Sequence, residues 1–366
     1  MFLCVRIQSK MRQYFHYILI RTDANIPDLN HYGCKDEGKE KYINVKIFLD
    51  SLRVNPRLLI CVNIIVMSLE SIINSRIGIG IILGIAKSMK PATGYRLADR
   101  VADWISSHKD SRMVRAVRAN LWIVTGEKLT KEELDDIVRE NFRKTARNLF
   151  DLYHNLYNYQ AILDRVKLSP RLVEILEERK EKNQGTLLLA PHLSNFDFAG
   201  RAMALHGYKV QALSYPQPRP SYQWQNRLRR DIGINITPMS TESMRLAKTH
   251  LREGGIVITG LERPLPQTNY YPHFFGYPAP LPVSYVRMAL QTNAAILLVA
   301  CVGSPEENYT LECSGPVMMK TFDNATDEIE RNAETVLKLA EPFIREHPTQ
   351  WAMTYPLWPF ALEKMP

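Results

Sequence analysis

What this 366-residue chain lacks narrows it first. Its five cysteines, Cys4, Cys34, Cys61, Cys301 and Cys313, are odd in number and form no C-x-x-C pair. A disulfide framework and a cysteine zinc site both need what is missing, so a reducing compartment is the default. Cys301 and Cys313 sit in apolar, strand-like runs and read as buried small hydrophobes. No G-x-S-x-G occurs, which removes the nucleophile elbow of a serine hydrolase. No H-E-x-x-H occurs, which removes that class of zinc enzyme. Zinc-finger spacings, RNP-like stretches and basic-aromatic ladders are absent as well, so nucleic acid is set aside as a partner. There is no internal repeat and no low-complexity tract.

Long apolar runs are missing too. No stretch reaches the roughly 18 uncharged apolar residues of a spanning helix. The nearest, Ile77–Ala86, runs into Lys87 and Lys90 and suits an interfacial or shallowly inserted position. Joining it to Leu58–Leu69 would place Glu70, Asn74 and Arg76 in hydrocarbon, at high cost. The glycines of the run superficially suggest a dinucleotide loop, but their spacing is wrong and no strand precedes them.

What is present is a chain able to fold. Hydrophobic residues make up 45% and charged residues 23%, a globular composition. The formal charge of +9 is a surplus that fits an anionic membrane surface or a phosphorylated substrate. Residues 1–66 show no sustained periodicity, are interrupted by the polar tract Asp36–Lys46, and do not read as a signal peptide. The pattern becomes clean at Met67, so the natural protein is expected to start there, with 1–66 an upstream extension. Residues 67–165 read as helical: Leu97, Val101 and Trp104 recur at helical spacing, as do Val114, Val117 and Leu121. Thr130-Lys-Glu-Glu133 is a capping box that opens a further helix carrying Leu134, Ile137, Phe142, Ala146 and Phe150. Arg112, Arg115 and Arg118 give this layer a basic face, either simply solvated or turned to a charged partner.

Residues 166–366 alternate strand and helix. Strands are expected at 186–190, 210–214, 256–259, 294–302 and 309–313, and helices at 240–252, 284–291 and 326–346. That alternation predicts an α/β sheet with helices on its faces. The first strand runs into Pro191-His192-Leu-Ser-Asn-Phe-Asp197. In such a sheet, ligands bind beyond the carboxyl ends of the strands. Asp197, in the first turn of the next helix, can fold back onto one imidazole nitrogen and raise the basicity of the other. Such a pair can take a proton from a hydroxyl, which then attacks an acyl thioester. The same spacing also fits a histidine satisfied in the core with Asp197 capping a helix.

The wider context resembles the bacterial lipid A biosynthesis (lauroyl/myristoyl) acyltransferases and their phosphatidylinositol mannoside acyltransferase-like relatives, within the glycerolipid acyltransferase superfamily and its His-x4-Asp signature. The blocks that carry the resemblance are Ser111–Asn120, Leu187–Gly200, Gly254–Arg263, His273–Pro282 and Pro348-Thr-Gln-Trp351, in that order. It implies a single mixed sheet flanked by helices, glycerolipid acyltransferase-like, with an N-terminal helical membrane-associating layer, residues 67–366 forming one unit. It implies His192 as general base, Asp197 as its orienting partner and Glu262 as a further acidic site residue, the last otherwise a plain ion pair with Arg263 or another base. Asn195, Arg229, Arg263, Phe274, Phe275 and Gly276 are assigned to substrate binding: the arginine forks suit phosphates, and the two aromatics with a glycine turn either wall an acyl channel or pack in the core. Trp351 and Trp358 either seat the chain at an interface or pack internally. The implied reaction moves a fatty acyl chain from acyl-CoA or acyl carrier protein to a hydroxyl of a glycolipid or phospholipid, at the cytoplasmic face of the cell (inner) membrane, with no metal and no cofactor beyond that co-substrate. Glu262-Arg263 departs from the acidic block usual in the lipid A branch, which points the acceptor away from lipid A itself. A non-catalytic lipid-binding protein of the same fold and an acyl thioesterase are the alternatives.

Overall fold

A computed structural model describes residues 83–216, 220–265 and 267–366. The expectations for residues 1–66, for the start at Met67 and for 77–82 fall outside them. After a helical stretch at 83–88 come α1 (Pro91–Ser107), α2 (Arg112–Val124) and α3 (Lys131–His154). Then follow α4 (Tyr159–Arg165), β1 (Val166–Leu168), α5 (Pro170–Glu181), β2 (Thr186–Ala190), α6 (Phe196–Leu205), β3 (Val210–Ser214), α7 (Pro220–Asp231), β4 (Asn235–Pro238), α8 (Thr241–Arg252) and β5 (Ile256–Gly260). The hairpin β6 (His273–Phe274) and β7 (Tyr277–Pro278) leads to α9 (Ser284–Thr292), β8 (Ala295–Ser304), β9 (Asn308–Cys313) and α10 (Ala325–Glu346).

Seven strands form one sheet in the order β1-β9-β8-β2-β5-β3-β4. β8, β2, β5, β3 and β4 are parallel neighbours, and β9 pairs antiparallel with β8 and parallel with β1. The sheet is therefore mixed but mostly parallel, as expected. β2 lies between β8 and β5 with both faces covered, and its sequence shows why. Leu187 and Leu189 point into a core shared with α2, α8, α9 and α10, whereas Leu188 points into a second core shared with α5 and α6. Each of these fully buried leucines contributes about 1.5–3 kcal/mol, and period-2 alternation delivers them to opposite faces.

Sequence reading misses β1, β4 and the β6–β7 hairpin. β1 is three residues long, and β4, four residues ending in Pro238, has no apolar run. Both stand at sheet edges, where short strands and proline are tolerated. Cys301 is buried as expected and Cys313 is half-buried.

The helical layer is built as its sequence predicts. The Thr130 hydroxyl accepts from the Glu133 amide at 3.3 Å while Glu133 accepts from the Thr130 amide at 2.8 Å, which closes the capping box. α1 and α3 approach so closely at Gly94 that a Cβ there would lie 1.9 Å from the Phe150 ring. Two bidentate pairs join them, Arg143 to Asp103 at 2.6 and 2.8 Å and Arg147 to Asp99 at 2.6 and 2.7 Å. The expected basic face is smaller than its sequence suggests. Arg112 and Arg115 are exposed, but Arg118 is buried, paired with Asp135 and bonded to the Pro366 carbonyl. Thr130→Ala removes the hydroxyl half of the capping box and is expected to lower stability by about 1 kcal/mol, read from chemical denaturation.

Candidate active site

The register of two neighbouring parallel strands builds the site. Ala190 at the end of β2 is the register partner of Gly260 at the end of β5, and the Leu261 amide donates to the Ala190 carbonyl at 3.2 Å. His192 and Glu262 each stand two residues beyond those ends, so residues 70 apart in sequence share one point at the carboxyl edge of the sheet. Gly260 leaves room for the imidazole, since a Cβ there would lie 3.2 Å from His192 Cε1.

Glu262 is fully buried. Its Oε1 accepts from the His192 amide at 2.6 Å, from His192 Nδ1 at 3.2 Å and from the Trp351 indole at 3.1 Å. Its Oε2 is buried with no hydrogen-bond partner among the described residues. Burial pushes this carboxyl up, but the His192 charge and the donors from His192 and Trp351 outweigh it and hold the group below the ordinary glutamate range. The sign follows: this carboxylate stabilises the fold above its unfolded titration range, and the contribution is lost as pH falls through the lowered folded value. Because Nδ1 faces an acceptor that stays ionised, the Nδ1–H tautomer is the one that satisfies both groups. Nε2, on the opposite edge of a partly exposed ring, has no partner among the described residues.

The turn that carries His192 is strained and held from outside. Ser194 has φ 49°, in the left-handed region that a non-glycine residue adopts at a cost. Its amide donates to the Gln350 carbonyl and its hydroxyl to the Gly303 carbonyl, both at 2.8 Å. The His192 carbonyl accepts from the Ala352 amide at 2.9 Å, and Leu193 pairs antiparallel with Trp351. The C-terminal segment 350–353 is thus a strap across the turn. Buried asparagines of the helical layer fix the strap: Asn141 donates to the Trp351 carbonyl at 2.8 Å and Asn120 to the Met353 carbonyl at 3.0 Å.

Asp197 does not meet His192. Its two oxygens accept from Arg229 Nε and Nη2 at 2.6 and 2.8 Å, a bidentate pair between α6 and α7. The expected His–Asp pairing is therefore corrected: Glu262 is the carboxylate on the imidazole, and Asp197 serves the guanidinium. Burial pulls Arg229 down, but Asp197 and Tyr222 more than offset it, so the guanidinium keeps its charge. The same bond takes the Arg229 fork that was assigned to a substrate phosphate. Asn195 is also turned inward, buried and donating to the Asn148 carbonyl at 3.0 Å. Arg263 makes no ion pair with Glu262; its guanidinium lies 5.1 Å over the Tyr355 ring.

Phe275 (φ 51°) and Gly276 (φ 81°) form the two-residue turn of the β6–β7 hairpin, where both positions need positive φ. Phe274 is fully buried, 5.9 Å from Trp358 in a stacked pair and 6.4 Å from Trp351 edge-on. The half-buried Phe275 ring lies 6.5 Å from Trp351. These aromatics brace Trp351 from behind, the packing alternative of the two read from sequence. Trp351 is the site residue that sequence reading underrates: it stands in the Pro348-Thr-Gln-Trp351 block, but nothing in the spacing says that its N–H finds Glu262. Among the described residues, no group of three His, Cys, Asp or Glu side chains is placed to hold a metal ion.

With this geometry in place, comparison with known proteins decides the family. The sequence model described as bacterial lipid A biosynthesis acyltransferase matches residues 68–359. The chain belongs to that family. It is similar to the phosphatidylinositol mannoside acyltransferase of Mycobacterium tuberculosis, 27% identical over 183 residues that cover 48% of this chain and 54% of the relative. It is also similar to the protein of the same name from Mycolicibacterium smegmatis, 21% identical over 250 residues that cover 66% of this chain and 78% of the relative. The chain spans about half the length of the M. tuberculosis relatives it matches.

The Asp197–Arg229 pairing carries a prediction. Asp197→Ala leaves a largely buried guanidinium without its counter-charge and is expected to cost about 2–3 kcal/mol, less than for a fully buried pair. Denaturant unfolding checks this, and the double variant Asp197→Ala, Arg229→Met is expected to recover most of the loss.

Proposed function

We propose that this protein is an O-acyltransferase that moves a fatty acyl chain from a thioester donor, acyl-CoA or acyl carrier protein, to a hydroxyl of a glycolipid or phospholipid. One observation carries the reading: His192 offers an unpartnered Nε2 at the carboxyl edge of the sheet while a buried carboxylate holds its Nδ1. In the proposed reaction, Nε2 takes the proton of the acceptor hydroxyl as its oxygen attacks the thioester carbonyl. The tetrahedral intermediate collapses, the carbon–sulfur bond breaks, and the imidazolium returns the proton to the leaving thiolate. Glu262 stabilises the imidazolium in between and keeps the tautomer correct. The acyl group passes directly to the acceptor, so no protein nucleophile takes part.

The reaction is placed at a membrane surface, because its acceptor is a lipid. The formal charge of +9 supports attraction to an anionic leaflet. Among the described residues no helix is long and apolar enough to cross a membrane, which is compatible with peripheral attachment. The names of the relatives and the Glu262-Arg263 block favour a glycolipid acceptor other than lipid A.

The test is incubation of pure protein with labelled acyl-CoA, or acyl carrier protein, and a total lipid extract. An acylated lipid is expected. His192→Ala is expected to abolish its formation with the fold retained, and Glu262→Gln to slow it by roughly 100-fold or more. Free fatty acid in place of an acylated lipid would make the protein a thioesterase; undiminished transfer by His192→Ala would remove the assigned base.

A further inference from the structure

We infer that Trp351 is a positioning residue of this site: its indole N–H fixes the Glu262 carboxylate on His192 and keeps it ionised while the imidazolium forms. The inference rests on the reading of His192 as general base.

The contrast between two tryptophans is the first ground. Trp351 and Trp358 are both 1% exposed and both pack on Phe274. The Trp358 Nε1 is buried without a partner among the described residues, whereas the Trp351 Nε1 stands 3.1 Å from Glu262 Oε1. Packing in this aromatic cluster does not by itself supply an acceptor, so the bond at Trp351 is a specific placement.

The second ground is the asymmetry of the carboxylate. All three donors converge on Oε1 and none on Oε2. Two of them belong to His192; Trp351 is the one that comes from a different part of the chain. Without it, Glu262 would be held by His192 alone, and nothing independent of the base would set its orientation.

The third ground is how the indole is held. The strap that carries it also bonds the His192 carbonyl through the Ala352 amide and pairs Trp351 with Leu193. Asn141 holds the Trp351 carbonyl from the helical layer. Backbone bonds therefore set the spacing of base and donor. The physical consequence concerns the proton on Nδ1. A carboxylate that accepts an additional N–H is less basic, so the proton stays on the imidazole when Nε2 is protonated. His192 is the titratable group that acts on the charge of Glu262, and the nearby Arg263 is turned to Tyr355.

Two variants separate donor from packing. Trp351→Phe removes the N–H and part of the ring. Replacing Trp351 by 3-benzothienylalanine, its sulfur isostere, removes the N–H alone. The first measurement needs no substrate: the carboxyl signal of Glu262 in protein labelled with carbon-13 glutamate, assigned by its loss in Glu262→Gln, is titrated in parent and variants. It is expected to titrate higher in both variants, by roughly half a pH unit or more. The second measurement is transfer from acyl-CoA to lipid, where kcat is expected to fall about 10-fold with KM little changed. An isostere with the parent's carboxyl titration and the parent's kcat would overturn the assignment, whether or not Trp351→Phe folds. If the parent transfers no acyl group, the titration still decides the role of Trp351, and the failure belongs to the proposed function.

Discussion

A buried carboxylate must be compensated, and the architecture around Glu262 follows from that requirement. A lone ionised glutamate with no solvent contact would protonate or force the structure open. Its donors come from the turn after β2 and from a segment some 160 residues further along the chain than that turn, while the carboxylate itself rides on the end of β5. Satisfying Glu262 thus requires two central strands in register and the C-terminal strap across their ends. Once those are in place, the imidazole is oriented as a by-product of satisfying the charge. Stability and the proposed chemistry rest on the same hydrogen bonds, and the strained Ser194 is tolerated because the strap bonds over-determine its turn.

The helical layer is part of this arrangement. Asn120 and Asn141 lie on α2 and α3 and spend their amides on the carbonyls of Met353 and Trp351. A buried amide left unpaired would cost about 1–3 kcal/mol, so the strap is pinned where these asparagines find it. On the other side of the His192 turn, Asp197 and Arg229 tie α6 to α7, and Asn195 ties the same turn to α3. Polar groups that the sequence offers as ligand contacts are consumed in holding the His192 turn.

Most of the sheet was legible because buried parallel strands are continuous apolar runs bounded by turn residues: Thr186–Ala190 and Ile256–Gly260 could hardly be anything else. The capping box at Thr130 was legible because its chemistry is local. Edge strands were not, since β1 and β4 lack the apolar run that betrays a strand. At the site, His192 and Glu262 could be named, but their partnership could not, because it depends on the register of β2 and β5 and leaves no trace in spacing. Asp197 misled for the converse reason. Five residues from His192, it looks like the partner, yet in the first turn of α6 it finds a guanidinium from α7 that needs it more. Phe274 and Trp351 read by type either as channel or interface residues or as core, and only the fold shows that Phe274 packs on Trp351 and that the Trp351 N–H meets the carboxylate.

Two acidic residues near one histidine therefore divide their work by environment. Glu262, without solvent and supplied with neutral donors besides the imidazole, can answer a positive charge that appears on His192. Asp197 faces a permanent positive charge, and its response is already spent on Arg229 before any proton moves. A carboxylate paired to a fixed guanidinium contributes the same interaction in every protonation state of the base, which is a folding term. A carboxylate paired to a titrating imidazole contributes differently before and after proton transfer, and only such a difference can lower a barrier. In the proposed reaction, that distinction leaves orientation of the base to Glu262 and construction of its scaffold to Asp197.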